Sequence, residues 1–213
     1  MRRLAAAFAV LIALAGSLPG APVSAAETAK PAFQLKGFRS AHFGMTKAQV
    51  KAAIQKDFRI KPETIQESVI AEGRTPVLLI RVAALFPQSG VGEVAYLFGY
   101  HSNKLVQVTV SLSTQTDPEL NADRIYIDGK VLQNYLLGLA YPAKSVIINC
   151  AASVGLVLFQ GIDPQGRMTS LQLQGQMTKS PNGQMDLNPQ LLRINYVADP
   201  AHPDVMKSLA GQF

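Results

Sequence analysis

A chain of 213 residues with twenty Lys and Arg against fourteen Asp and Glu carries a formal charge of +6, which falls to about +4 without Arg2 and Arg3. So mild a charge, scattered along the chain, argues against a nucleic-acid binder. The single cysteine, Cys150, excludes an intramolecular disulfide, so the apolar core has to hold the fold alone, as one domain or two small packed ones.

The chain opens with Met1-Arg2-Arg3, runs through the apolar stretch Leu4 to Ala15 and reaches Val23-Ser24-Ala25 before Ala26-Glu27. Charge, apolar run and small-residue site in that order read as a secretory signal peptide, residues 1–25, cleaved after Ala25. The apolar run is too short to span a bilayer and no later segment is uniformly apolar, so no transmembrane segment is expected. The expected product is a soluble periplasmic or secreted protein. Residues 26–36 lack periodicity and read as a flexible lead-in.

A first α+β unit is expected over 37–116. Phe43-Gly44-Met45-Thr46-Lys47-Ala48-Gln49-Val50 reads as a helix start: Thr46 is a good N-cap, Gln49 completes a capping box, and Met45 meets Val50 as a hydrophobic staple. Val50, Ala53, Ile54 and Phe58 then fall on one face. After Pro62, Thr64 to Glu72 reads as an edge strand and Val77 to Leu85 as a firmer one. Val94, Tyr96, Phe98 and Tyr100 alternate, as do Val106, Val108, Val110 and Leu112. A three-residue loop, His101-Ser102-Asn103, puts both sets on one side by pairing Phe98 with Val106, Tyr96 with Val108 and Val94 with Val110, and Asn103 suits a left-handed position in it.

The polar stretch Ser113 to Glu119 reads as a junction, and a second unit is expected over 117–213. Asp128 is the expected cap of its helix, with Val131, Leu132, Tyr135, Leu136 and Leu139 as the apolar stripe before Tyr141-Pro142. Val146 to Cys150 and Gly155 to Ile162 read as strands, and Cys150 as a buried structural thiol. A Pro164-Gln165-Gly166 loop pairs Phe159 with Leu171 and Val157 with Leu173. Lys179 to Gly183 reads as a loop, and Leu191 to Val197 as a last strand with Leu192, Ile194 and Tyr196 inward and Arg193 and Asn195 outward. The tail Asp199 to Pro203 reads as irregular. The expected fold class is therefore α+β, two helix-plus-antiparallel-meander units forming a pseudo-repeat.

Chemistry is sought and not found in the sequence. His42, His101 and His202 stand apart with no ligand partners at metal-site spacing, so no metal and no cofactor is expected. No G-x-S-x-G elbow or phosphate-binding glycine loop occurs, and Glu93, Asp123, Asp128 and Asp163 each have a plainer role at a strand start, turn or cap. Tyr96 and Phe98 read as core, with Tyr100 the aromatic that reaches solvent. Lys47, Lys51 and Lys56 read as the solvated face of the first helix, with a weak contact to an anionic surface as the alternative.

The stretches GFRSAHFGMTKAQVKAAI, EVAYLFGYHSNKLVQVTVSLS, LVLFQGIDPQGRMTSLQLQG and YVADP resemble a family of exported, uncharacterised proteobacterial proteins with no assigned activity. More distantly, Gly44-Met45-Thr46 with Val50 is similar to the helix start of SmpA/OmlA (BamE) type envelope proteins, and the doubled plan resembles β-lactamase inhibitory protein. The resemblance implies a non-enzymatic periplasmic protein that binds a protein or envelope component. The candidate partner-binding residues are Tyr100, His101, Asn103 and Lys104 at the hairpin tip. The alternative is an enzyme or small-ligand carrier with its site in a cleft between the two units.

Overall fold

The computed structural model describes residues 31–86, 89–179 and 185–206. The expected signal peptide, the lead-in up to residue 30 and most of the loop after Lys179 lie outside them. A short ribbon, β1 (Gly37–Phe38) with β2 (Ala41–His42), precedes helix α1 (Lys47–Phe58). Strands β3 (Gln66–Ile70), β4 (Thr75–Val82), β5 (Gly92–Phe98) and β6 (Leu105–Ser113) follow. Helix α2 (Ala122–Leu137) then leads to β7 (Ile147–Ala152), β8 (Gly155–Ile162), β9 (Met168–Lys179) and β10 (Met185–Val197).

These last eight strands form one antiparallel sheet in the order β3-β4-β5-β6-β10-β9-β8-β7. This corrects the expectation of two helix-plus-meander units. The strands before and after α2 are not separate sheets, because β6 pairs with β10 from Leu191 opposite Ser113 to Val197 opposite Gln107. One core cluster runs from Val50 and Ile54 of α1 through Tyr96 and Val110 to Leu171 and Ile194.

The start of α1 is as its sequence predicts. The Gln49 amide donates to Thr46 Oγ1 at 3.3 Å and the Thr46 amide donates to Gln49 Oε1 at 2.9 Å, which satisfies two amides the helix cannot use itself. Gly44 stands before it at φ +85°, a left-handed conformation that suits glycine. Its N–H donates to the Leu105 carbonyl, and the Leu105 N–H donates to the Met45 carbonyl, so the helix start is tied to the first residue of β6. Val50, Ala53 and Ile54 are buried, and Phe58 packs beside them against Phe38. Lys47 and Lys51 both reach Glu67 on β3, whose carboxyl is held below the usual carboxylate range, chiefly by the hydrogen bond from Lys51.

Register follows the alternation with two local corrections. Tyr96 faces Val108 and Val94 faces Val110, as expected, but a shift after Leu97 sets Phe98 opposite Leu105 instead of Val106. Gly99 donates to the Lys104 carbonyl, so the tip holds four residues, Tyr100 to Asn103. Asn103 takes the left-handed conformation at φ +51°. In the second hairpin Phe159 faces Leu171 as expected, and a bulge at Leu158 places Leu156 opposite Leu173 in the position expected of Val157. On β10, Leu192 and Ile194 are buried and Arg193 and Asn195 lie on the other side.

Helix α2 departs further from expectation. Its N-cap is Asn121, whose side-chain oxygen accepts from the Arg124 amide at 2.9 Å, and Asp128 lies inside the helix, paired with Arg124 at 3.1 Å. Gly129 lies where a Cβ would meet Leu158, Leu173 and Leu192 at 3.0 to 3.3 Å, so its missing side chain lets the helix approach the sheet. The inner face of the helix holds Ile125, Gly129, Gln133 and Leu136. Val131 and Tyr135, expected in the apolar stripe, are 62% and 63% exposed. Gln133 is buried and donates to the Leu158 carbonyl at 2.6 Å, satisfying an acceptor that the bulge takes out of the strand ladder. Cys150 is also corrected: it is exposed, because β7 is the outermost strand.

The described part of the lead-in is docked. Leu35 is buried, its amide donates to Asp163 Oδ2 at 2.9 Å, and its carbonyl accepts from Arg167. Asp163 also accepts from the Gln165 and Arg167 amides at its own turn.

Phe98, the last residue of β5, is fully buried, so truncating it leaves a cavity in the core. Phe98→Ala is expected to lose about 3–5 kcal/mol of stability, read as a lowered melting temperature. Tyr96→Phe removes a buried hydroxyl with no hydrogen-bond partner among the described residues, and is expected to leave stability unchanged or raise it by about 1 kcal/mol.

Candidate binding surface

Strand alternation gives the sheet two different faces. Tyr96, Val108, Val110, Leu171, Leu192 and Ile194 point to the side where Gly129 of α2 meets Leu173 and Leu192. Glu67 belongs to the same side, because it lies opposite Leu78, which lies opposite buried Tyr96, and it is the residue that α1 reaches. Both helices therefore lie on one face. The opposite face carries the intervening residues, and across its middle strands these are polar.

Register places Glu93, Ser111, Arg193 and Gln172 in one row across β5, β6, β10 and β9. The next row holds Ala95, Thr109, Asn195 and Ser170. Side chains in this second row form a hydrogen-bonded chain, joined by Gln107 from the row beyond: Gln107 Nε2 donates to Thr109 Oγ1 at 3.0 Å, Thr109 Oγ1 donates to Asn195 Oδ1 at 2.9 Å, and Asn195 Nδ2 donates to Ser170 Oγ at 3.3 Å. Such cross-strand bonds hold each side chain in one rotamer and fix where donors and acceptors point.

The first row has a different character. Glu93 is held by Arg81 at 3.0 Å from the outer side, while Arg193, two strands away, keeps a buried Nε with no hydrogen-bond partner among the described residues. Beside this row lies a groove of about 420 Å³, bordered by Glu93, Ser111, Thr116, Gln174, Gln190 and Arg193. Val154, in the turn between β7 and β8, stands at its margin and is 56% exposed. The groove offers amide and hydroxyl groups of both hydrogen-bonding senses with one cation, which suits a polar main chain or side-chain amides. Neither His42, His101, His202 nor Cys150 borders it. Among the described residues no three His, Cys, Asp or Glu side chains gather closely enough to hold a metal ion.

The candidate residues Tyr100, His101, Asn103 and Lys104 stand at the other end of the β5–β6 hairpin, about 20 Å or more from Glu93 at the ordinary strand rise. There the irregular tail crosses the hairpin tip. The Tyr100 amide donates to the Asp204 carbonyl at 2.9 Å, and the His101 and Ser102 amides donate to the two Asp204 carboxylate oxygens at 2.9 and 3.0 Å. Tyr100 and His101 meet edge to face, and together with Pro203, Val205 and Met206 they line a hollow. Asn103 and Lys104 are exposed beside it. The tip is thus a clasped corner, distinct from the groove.

The outward placement of Arg193 and Asn195 was readable from alternation. Thr109, Ser111 and Gln172 carry the same signal, each at a polar position between apolar neighbours, whereas Ser170 follows another polar residue, Thr169. Nothing in the sequence says that their strands lie side by side.

No family model matches the chain, and neither does any curated protein or solved structure. Among the described residues no helix is long and apolar enough to cross a membrane.

The clasp has a pH signature. The His101 amide, with the Ser102 side chain and amide behind it, holds the Asp204 carboxyl below the usual carboxylate range. A depressed folded-state pKa means stabilisation present above the ordinary carboxylate pKa and lost as pH falls through the lower folded value. Asp204→Asn is expected to speed hydrogen exchange at the His101 and Ser102 amides at neutral pH, and the difference from the parent is expected to shrink in strong acid.

Proposed function

We propose that this is a non-enzymatic binding or scaffold protein of the periplasm or extracellular space, and that it holds a protein or envelope component on the uncovered sheet face. The observation that carries this reading is the polar row system across β6, β10 and β9, with the Arg193 guanidinium set among hydroxyl and amide groups beside the groove. Such a surface is pre-organised, so a partner meets donors and acceptors already in place and less ordering cost is left for the moment of binding. Arginine at the centre of a polar patch is also a residue type that concentrates binding energy. The leader-like start of the chain and the resemblance of its helix start to partner-binding envelope proteins support the same direction.

The hairpin tip is the secondary contact in this reading. Lys104 and Asn103 are exposed there, on a corner that Asp204 keeps rigid. The Lys47 and Lys51 ammonium groups are shared with Glu67, which leaves Lys56 as the one of the three not paired with Glu67 and makes an anionic-surface role for α1 the weaker alternative.

A photo-crosslinking amino acid placed at Gln172 on the open face is expected to give one discrete adduct in an envelope extract, whereas the same group at Val131 on the outer side of α2 gives none. Arg193→Glu is expected to lower the yield of that adduct about tenfold or more, as for loss of an interface arginine worth about 2 kcal/mol. A Gln172 protein that stays free of adducts, or an adduct indifferent to Arg193→Glu, overturns the reading.

A further inference from the structure

The helix-covered face carries a second site of different chemistry. Between α2 and the β1–β2 ribbon lies a cleft of about 460 Å³, with Ile194 and Tyr196 as its floor, Leu136 and Phe38 as facing walls, and Tyr135 and Arg39 at its rim. That volume falls within the roughly 300–1,000 Å³ of small-molecule sites. Its walls are aliphatic and aromatic, so the body of a fitting ligand is apolar. At roughly 30 Å³ for each water-sized group, it has room for one chain of about fifteen such groups and not for two.

Two polar groups orient such a ligand. The Tyr141 hydroxyl, also at the cleft, is already committed to Thr169 Oγ1 at 2.7 Å, whereas the Tyr196 hydroxyl has no hydrogen-bond partner among the described residues. Burial raises the Tyr196 phenol well above the ordinary tyrosine value, so it stays neutral and able to donate. Arg39 sits in the turn between β1 and β2, its guanidinium carbon 4.5 Å from the Phe58 ring centre and 5.6 Å from that of Phe38. Among the described residues its one hydrogen bond is to the Leu85 carbonyl at 3.4 Å, and no carboxylate pairs with it. The nearby Asp57 carboxylate accepts from the Ser40 amide. Aromatic faces thus fix the guanidinium plane while leaving donor edges for an anion.

We propose that this cleft binds a free single-chain amphiphile with an anionic head, of the long-chain carboxylate class, its chain lying along Ile194, Leu136 and Phe38 and its head paired with Arg39. The single cation selects one anionic group, and the room for one chain excludes an intact two-chain phospholipid. This site is separate from the open sheet face, and either can fail without the other.

Titration calorimetry of the purified protein with dodecanoate and with 1-dodecanol tests the proposal. Dodecanoate is expected to bind one to one with a dissociation constant of micromolar order and the alcohol about tenfold more weakly, a difference of about 1.4 kcal/mol. Arg39→Gln is expected to remove that preference while leaving dodecanol binding unchanged, and Arg39→Lys to retain it, which a purely structural role for Arg39 would not produce. Leu132→Trp, at a wall position only partly buried, is expected to abolish binding of both ligands with the melting temperature preserved. Absence of saturable dodecanoate binding, equal affinity for acid and alcohol, or a preference that survives Arg39→Gln overturns the proposal. So does cosedimentation with phosphatidylglycerol vesicles in a protein that takes up no dodecanoate.

Discussion

The pairing of β6 with β10 is the contact on which the rest of the molecule depends. It runs unbroken over seven residue pairs, from Ser113 opposite Leu191 to Gln107 opposite Val197, and joins residues on either side of α2. Each of these strands would otherwise present a row of unpaired amides and carbonyls at an apolar edge, the kind of edge that invites association with other chains. Pairing them removes both edges at once. It also aligns Val108 and Val110 with Tyr196 and Ile194, so the apolar sides of the two runs become one floor.

Once that floor is continuous, the helices are constrained to cover it. Helix α2 approaches closely because Gly129 lacks a side chain where Leu158, Leu173 and Leu192 rise to meet it, and Gln133 replaces the strand partner that the bulge at Leu158 loses. Helix α1 is held at its first turn through Gly44, Met45 and Leu105 and along its side through Glu67. The ribbon and the residues around Leu35 close part of what is left, and Asp163 ties that segment to a turn far away in the chain. With both helices on one side, the polar residues of the other side are left to be ordered by each other, as the bonds among Thr109, Asn195 and Ser170 show.

The two faces consequently present different chemistry. On the open side, directional groups on rigid strands favour a surface of matching hydrogen bonds. On the helix side, the space between α2 and the ribbon is lined by Phe38, Leu136 and Ile194, with Arg39 and Tyr196 among its polar groups. The tail is the third device: through Asp204 it closes the end of the β5–β6 hairpin and keeps Tyr100 and His101 in one arrangement.

The sequence by itself determined what is settled within a few residues. The Thr46 and Gln49 capping box, the left-handed Asn103, the inward set of β10 and the pairing of Tyr96 with Val108 all follow from neighbouring side chains and the geometry of a turn. Small departures came where a distant group intervened, as when the Tyr100 amide turned to Asp204 and the hairpin tip lengthened. Tertiary structure alone decided that the strands form one sheet, that Cys150 lies on an exposed edge, and that Arg193 and Gln172 share a row. The physical reason is range: capping and alternation act along the chain, whereas sheet order depends on backbone groups as far apart as Val110 and Ile194 finding each other, and only that meeting decides which side chains become neighbours.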